Sequence, residues 1–139
     1  KSGISELKPA GVMATTEPTL IREVLIGGSD GERRLARGTP EWQAADPAIE
    51  QGLRFLHVTA PQRVMTEDEV GATPAADFGL DPPALSVALH GEAGPVLAIA
   101  FGGPTPLGVA RYARVAGRPG VVILPSYVAE AWEKVAASR

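Results

Sequence analysis

The residues of this chain best suited to chemistry are its two histidines, His57 and His90. A histidine can act as a general base or as a metal ligand, but both roles need partner side chains at a defined spacing. Neither histidine has a second ligand one helical turn away or an evident acid and nucleophile beside it. The sequence therefore predicts structural positions for both. His57 is expected late in a helix, where a protonated ring complements the helix dipole.

The serines and the acidic run also lack a catalytic context. Neither Ser29 nor Ser126 stands in the G-x-S-x-G turn that exposes a nucleophilic hydroxyl. We expect Ser29 to lie in a turn and Ser126 to cap the last helix. The run Glu67-Asp68-Glu69 lacks the alternating acids and central glycine of a calcium loop. It predicts a solvated acidic loop.

The glycine-rich stretch 102–108 has the composition of a phosphate-binding loop but not its essential parts. It does not end in Gly-Lys-Ser/Thr, and Pro104 and Pro106 supply no backbone N–H donors. A stiff loop between two strands is expected instead. No catalytic residue, metal ligand or cofactor-binding residue is predicted in this sequence.

Composition narrows the class of protein further. The 139 residues carry a net charge of −3 and only 5% aromatic side chains, which argues against a nucleic-acid-binding domain. The absence of cysteine excludes disulfides and thiolate chemistry. No run reaches the length of about 18 apolar residues that a membrane helix needs. Because the chain starts at Lys1, we expect a fragment that has lost a signal or anchor.

Five residues are candidates for contact with a ligand or a partner, namely Phe78, Leu80, Tyr112, Arg22 and Arg34. The two arginines belong, with Arg33 and Arg37, to a group on the first predicted hairpin that could meet an acidic partner or lipid headgroups. Protection of an edge strand by charge explains them equally well. Tyr112 places a polar tip on a predicted strand. The two tryptophans are expected in the core.

In the first half of the chain, residues 20–26 and 32–37 predict a hairpin, with Gly27–Gly31 as its turn. Asp46 and Pro47 predict the start of a helix, as its N-cap and its first residue. The apolar spacing of Ile49, Leu53 and Leu56 supports that helix. A short strand is expected at residues 63–66 and a loop at residues 67–76.

The second half follows a proline-rich connector at residues 67–83. Neither a helix nor a central strand can run through its end, Phe78-Gly79-Leu80-Asp81-Pro82-Pro83. Strands are predicted at residues 85–89, 97–101, 110–116 and 121–124. The last helix carries an apolar stripe of Val128, Ala131, Trp132 and Val135.

We therefore predict an α+β fold with a mainly antiparallel sheet. It comprises two strand-then-helix halves, at about 19–66 and 84–138, with two main helices packed on the sheets. The order hints at a degenerate duplication. Residues 1–18 are expected to be a linker or frayed terminus, and residues 19–139 a single domain whose halves are joined by the connector at 67–83.

From Leu20 onward the chain resembles the family described as domain of unknown function 4340. The resemblance rests on the hairpin ending in Trp42, the Gly-Leu-Asp-Pro-Pro element at residues 79–83 and the Gly-Gly-Pro-Thr-Pro turn at residues 102–106. Tyr112-Ala113-Arg114-Val115 and the valine-rich last strand also agree. The resemblance implies an extracytoplasmic module, often carried behind one N-terminal membrane helix in bacteria. Some relatives are linked to gliding-motility-type auxiliary proteins of ABC transporters.

The expected function is that of a non-enzymatic interaction module, accessory to a membrane transport or envelope assembly system. Its partner would be a membrane or transporter-associated protein, and membrane contact would come only through a helix outside this chain. We expect a periplasmic location, with anchoring to the inner membrane in the full-length protein. The alternative is a small-ligand-binding domain, with its cleft between the two halves near the connector and Tyr112.

Overall fold

Apolar residues at alternate positions build the strands of a single antiparallel sheet. The computed structural model describes residues 11–28 and 31–138, and these contain seven strands in the order β2-β1-β4-β5-β6-β7-β3. The strands are β1 (Ile21–Gly28), β2 (Gly31–Ala36), β3 (Arg63–Met65), β4 (Leu85–Gly91), β5 (Gly94–Pro104), β6 (Ala110–Val115) and β7 (Val121–Pro125). The helices are α1 (Pro40–Ala45), α2 (Ala48–Val58), α3 (Glu67–Val70) and α4 (Ser126–Ala137), and short 3-10 helices cover Pro18–Leu20 and Ala75–Phe78.

The two longest helices, α2 and α4, cover one face of the sheet. The predicted stripe of Ile49, Leu53 and Leu56 on α2 is fully buried there. At Gly52 the two helices approach so closely that a Cβ would lie 2.7 Å from the ring of Trp132 on α4. The alternate strand residues that point to these helices form the main core, and examples are Val24, Ile26, Val87, Leu89, Ile99, Phe101, Val122 and Leu124.

The predicted α+β class, antiparallel sheet and two main helices are confirmed. The two predicted halves share one sheet, because β1 pairs with β4 across the boundary between them. The first half also supplies β3 to the opposite edge, where Arg63–Met65 pairs with β7. Strands of the first half therefore flank the four strands of the second half on both sides.

The predicted helix starts need correction. Residues 40–45 already form a helix, α1, capped by the Thr39 side chain. Asp46 ends α1, and Pro47 is the N-cap of α2 and not its first residue. The Asp46 side chain still accepts a hydrogen bond from the Glu50 N–H at 3.3 Å. Ser126 is the first residue of α4 and makes no side-chain cap, because Pro125 occupies the N-cap position.

Two predicted loops are partly regular structure. Within residues 67–76, Glu67–Val70 forms α3 and a 3-10 helix begins at Ala75. The stretch 102–108 is not a loop throughout, because β5 continues to Pro104. α3 and the 3-10 helix are each four residues long, and the register of β5 shifts between Phe101 and Pro104. None of these features leaves a periodic pattern in the sequence. The predicted turn residues Ser29 and Asp30 lie outside the described residues.

The prediction that residues 1–18 form a linker or frayed terminus is wrong at Val12 and Met13. Val12 and Met13 are 3% exposed and belong to the main core. The Met13 N–H donates to the Leu56 carbonyl at 2.9 Å, at the C-terminal end of α2. Arg118 also donates to the Val12 carbonyl at 2.7 Å. Residues 1–10 lie outside the described part of the chain.

Candidate functional site

Three of the candidate residues meet on the face of the sheet that α2 and α4 leave free. Phe78 and Leu80, from the connector, are 7% and 8% exposed and pack with the fully buried Val121. Tyr112 joins them, with its ring edge-on to Phe78 at a centroid distance of 5.0 Å. We name this group the connector cluster; its other members are Met65, Val70, Ala75 and Ala100.

A tight backbone arrangement holds the connector on the sheet. Gly79 has φ +72°, and a Cβ there would collide with the backbone of Gly103 on β5. The Leu80 N–H donates to the Ala75 carbonyl at 3.0 Å, and the Ala84 N–H donates to Phe101 at 2.9 Å. Phe78 and Leu80 thus fasten the connector to the sheet. A ligand would reach them only if the connector lifted, so their contact with a ligand stays a prediction.

The predicted arginine group separates in the fold. Arg33 donates to the carbonyls of Val135, Ala136 and Ser138 at the C-terminal end of α4. Arg37 donates to the carbonyls of Ile21 and Pro18 and to Glu50, and it lies 4.5 Å over the ring of Trp42. These two guanidinium groups join elements of the fold.

The two arginines predicted as contact residues are exposed. Arg34 lies 3.2 Å from Glu23 on the neighbouring strand, which forms a surface ion pair. Arg22 borders a shallow hollow of about 300 Å³, together with Leu20 and the β4–β5 turn. They stand apart from the connector cluster, so the five candidate residues do not form one site.

The acidic run organises a short helix. Thr66 and Glu69 form a reciprocal capping box at the start of α3, and Glu69 also pairs with Arg63 on β3. The Thr66 backbone N–H, and then the Arg63 guanidinium, hold the pKa of the Glu69 carboxyl below its ordinary value of 4.5, against desolvation. Glu69 therefore stays ionised at neutral pH as a structural carboxylate.

The histidines lie apart from each other and from the acidic run. His57, late in α2 as predicted, lies 3.0 Å through Nδ1 from the Met13 carbonyl. His90 is half-buried near the end of β4. Among residues 11–28 and 31–138, no three His, Asp or Glu side chains are grouped to hold a metal ion. Within the same residues, no helix has the length and apolar character needed to cross a membrane.

A hollow of about 340 Å³ lies beside the connector, between α3 and the β6–β7 turn. Arg114 and Arg118 border it on one side, and Glu67 and Val70 on the other. Its volume falls at the lower end for small-ligand sites, which range from about 300 to 1,000 Å³. The sequence did not predict this hollow, because the β6–β7 turn and α3 meet only in the folded chain.

The rest of the free sheet face is uncovered. We name it the open face: it is the surface of β2, β1, β4, β5 and β6 that the connector leaves bare. Small side chains form a groove of about 250 Å³ along it, with Glu32 and Arg114 at its borders. The residues between them include Leu25, Ser86, Ala88, Ala98, Ala116 and the half-buried Ala100, which also borders the connector cluster.

A second apolar surface lies at the end of the sheet where β5 turns into β6. Leu107 and Val109 are 86% and 63% exposed in this turn. The Val109 carbonyl accepts from Ser126, and the next residue, Tyr127, contacts Thr59 of the α2 end at 3.5 Å. Val58, which is also exposed, precedes Thr59. We name Leu107, Val109, Tyr127 and Val58 the apolar end.

The model of one protein family matches residues 21–138, nearly the whole chain and every strand described above. The chain belongs to the family described as Domain of unknown function (DUF4340). The predicted resemblance is thereby confirmed. No curated protein and no solved structure matches the chain. The family match establishes kinship over the sheet, the connector and α4, and it assigns no activity to them.

Proposed function

We propose that this domain is a non-enzymatic interaction module accessory to a membrane transport or envelope assembly system. The observation that carries the proposal is the apolar end, where four large apolar side chains are 47% to 86% exposed on segments that the Val109–Ser126 and Thr59–Tyr127 hydrogen bonds hold together. Scattered exposed apolar residues are ordinary, but a connected group marks an interaction surface. The family likeness supports the envelope setting, which the sequence resemblance implies.

The chemistry of this surface suits a protein partner. Tyr127 offers a large amphipathic ring, held edge-on against Phe55 at 4.8 Å, and Leu107 stands forward in a turn. Rigid aromatic anchors beside exposed aliphatic groups are typical of the centre of protein interfaces. The surface would therefore bury apolar side chains of a membrane or transporter-associated protein.

A pull-down from bacterial envelope fractions tests this function. We expect the intact domain to retain a membrane or transporter-associated protein, and the double variant Leu107→Asp/Val109→Asp to lose it. The matched control is Ala72→Asp/Thr73→Asp, which places the same two charges on an exposed stretch away from the apolar end. Repeated capture of no such protein, or equal capture by both variants, would count against the proposal.

The extracytoplasmic location is part of the proposal and has its own test. The full-length protein, tagged at its C-terminus, should be degraded by protease added to spheroplasts, while a cytoplasmic marker stays intact. Protection of the tag until the inner membrane is lysed would contradict an extracytoplasmic location.

The second candidate function is small-ligand binding, and the hollow between α3 and the β6–β7 turn favours it. Two guanidinium groups at its border, those of Arg114 and Arg118, suit an anionic ligand. In a thermal-shift screen, a ligand at one hundred times its dissociation constant should stabilise the domain by about 2.7 kcal/mol. Arg114→Gln should weaken that shift, whereas Arg54→Gln on α2 should not. A broad anionic library without a hit would reject this function.

A further inference from the structure

The open face carries a row of residues whose order is fixed by the strand register. Glu32 on β2 lies opposite Gly27, Gly27 opposite Ser86, Ser86 opposite Ala100, and Ala100 opposite Arg114 on β6. The row therefore has a carboxylate at one end, a guanidinium group at the other and small residues between them. Ser86, on β4, is its centre.

The two charged ends cannot meet within one chain. Four strand spacings separate Glu32 from Arg114, which is about 19 Å. Both side chains are exposed, and neither forms an ion pair with any of residues 11–28 or 31–138. Arg34, in contrast, is already paired with Glu23.

The neighbouring row is asymmetric in size. It runs from Arg34 through Leu25, Ala88 and Ala98, and the Ala116 N–H extends it by donating to Ala98. Leu25 is the one large apolar side chain among the residues that border the groove from this row, and it lies on one side of β4. Ala98 lies at the equivalent distance on the other side of β4.

From these two rows we propose that the open face binds a second copy of this chain, about a two-fold axis that runs above β4 and parallel to it. Such an axis places β2 of one copy over β6 of the other. Glu32 then faces Arg114 of the second copy, twice in the dimer. Leu25 fits over Ala98, and Ser86 and Ala88 face their own copies. Charge and size are thus complementary under one symmetry operation.

The area of the open face sets the strength of this dimer. Five strands about 4.8 Å apart, each contributing about five residues, give about 400 Å² per copy. A stable interface buries about 800 Å² per partner. The association is therefore weak and reversible, and it uses a surface separate from the apolar end. It does not depend on the proposed function.

Charge reversal tests the pairing of Glu32 with Arg114. Sedimentation velocity of the intact chain should show a dimer that forms with rising concentration. Glu32→Arg or Arg114→Glu alone should raise the dissociation constant by about tenfold or more, since each places like charges together twice. An equimolar mixture of the two variants should regain the association, because both contacts between unlike chains then attract. Circular dichroism confirms that each variant is folded.

Cross-linking tests the direction of the axis. The chain has no cysteine, so single cysteines can be introduced cleanly. Glu32→Cys mixed with Arg114→Cys should yield a dimer with a short bis-maleimide, whereas each variant alone should not. An axis perpendicular to the strands and midway between the two rows would place Glu32 over Arg34 instead, and Glu32→Cys would then cross-link with Arg34→Cys.

The results that overturn the proposal are definite. An intact chain that remains monomeric at every concentration would overturn it, even if another protein were found to cover the open face. Association that is unchanged by single charge reversal, or that the mixture does not restore, would overturn the pairing. Cross-linking of Glu32→Cys with Arg34→Cys alone would overturn the axis.

Discussion

The two faces of the sheet contrast in what covers them and in the size of their side chains. The face under α2 and α4 carries large apolar residues such as Ile26, Leu89 and Phe101, each at most 1% exposed. The other face carries alanines, a serine and charged residues, and the connector covers only its β5–β6–β7–β3 side. One face thus supplies the stability of the domain, and the other remains available for association.

The connector cluster is intermediate between these two faces. It contains only three buried residues, against the much larger set beneath the helices. The cluster holds the connector against the sheet, and the connector joins the two halves and covers part of the free face. Four changes to the molecule test this ordering, from the largest expected effect to the smallest.

The largest effect is expected from Trp132→Ala. Trp132 lies on α4, and its fully buried ring packs against Gly52 of α2, so truncation to alanine leaves a large cavity. We expect a loss of about 3–5 kcal/mol in the free energy of unfolding, measured by urea denaturation. Lys134→Ala, on the exposed side of the same helix, should change it by less than about 0.5 kcal/mol. A loss below about 1 kcal/mol for Trp132→Ala would contradict the prediction that the helix-covered face supplies the stability of the domain.

A smaller effect is expected from Leu80→Ala in the connector cluster. The cluster is small and lies at the edge of the covered region, so the loss should be about 2 kcal/mol, the lower end for buried leucine truncations. Leu107→Ala is the matched control, because Leu107 is 86% exposed. Equal effects of the two substitutions on the urea midpoint would show that the connector does not bind the sheet.

Gly79→Ala tests how the connector is held. Gly79 combines a positive φ with close contact to Gly103, whereas Gly117 has φ +83° and open space around it. Both alanine variants suffer backbone strain of about 1 kcal/mol, but only Gly79→Ala adds a steric collision. We expect this collision to make Gly79→Ala less stable than Gly117→Ala by about 1 kcal/mol in the free energy of unfolding, and this difference is the effect to be measured. Equal costs would place the connector farther from β5.

The smallest effect concerns Glu69 and acid. Its pKa is lower in the folded chain than in the unfolded chain, so its contribution to stability is present above the ordinary value of 4.5. That contribution is lost as the pH falls through the lowered pKa. Amide exchange at Val70 should therefore quicken on acidification, beyond the intrinsic change, more in the intact chain than in Glu69→Gln. The same pH response in both chains would show that the ionised Glu69 carboxylate does not stabilise α3.

Much of the fold was predictable because alternation is a local signal. Leu97, Ile99 and Phe101 mark their strand, and the apolar stripe marks α2, without reference to the rest of the chain. The short helices were not predictable in this way. α1 and α3 are six and four residues long, too short for a helical period to show.

Long-range contacts account for the other errors. Val12 and Met13 lie in a stretch rich in turn formers, and they are buried by long-range contacts such as those with the end of α2 and with Arg118. The pairing of β3 with β7 joins two segments that lie far apart in the sequence, on either side of the connector, so the local pattern of neither segment predicts it. Sequence reasoning did select Phe78, Leu80 and Tyr112, which the fold brings together. It did not predict that this cluster would be closed while Ala98 and Ala116 on the open face stayed exposed.

The most direct test of the contrast between the two faces is the urea midpoint, measured over about a hundredfold range of protein concentration. We predict that the midpoint of the intact chain rises with concentration. That of Ala98→Lys, altered on the open face, should stay constant and match the intact chain at its most dilute. Midpoints that coincide at every concentration, or a variant that is already unstable when dilute, would contradict the division between a face for stability and a face for association.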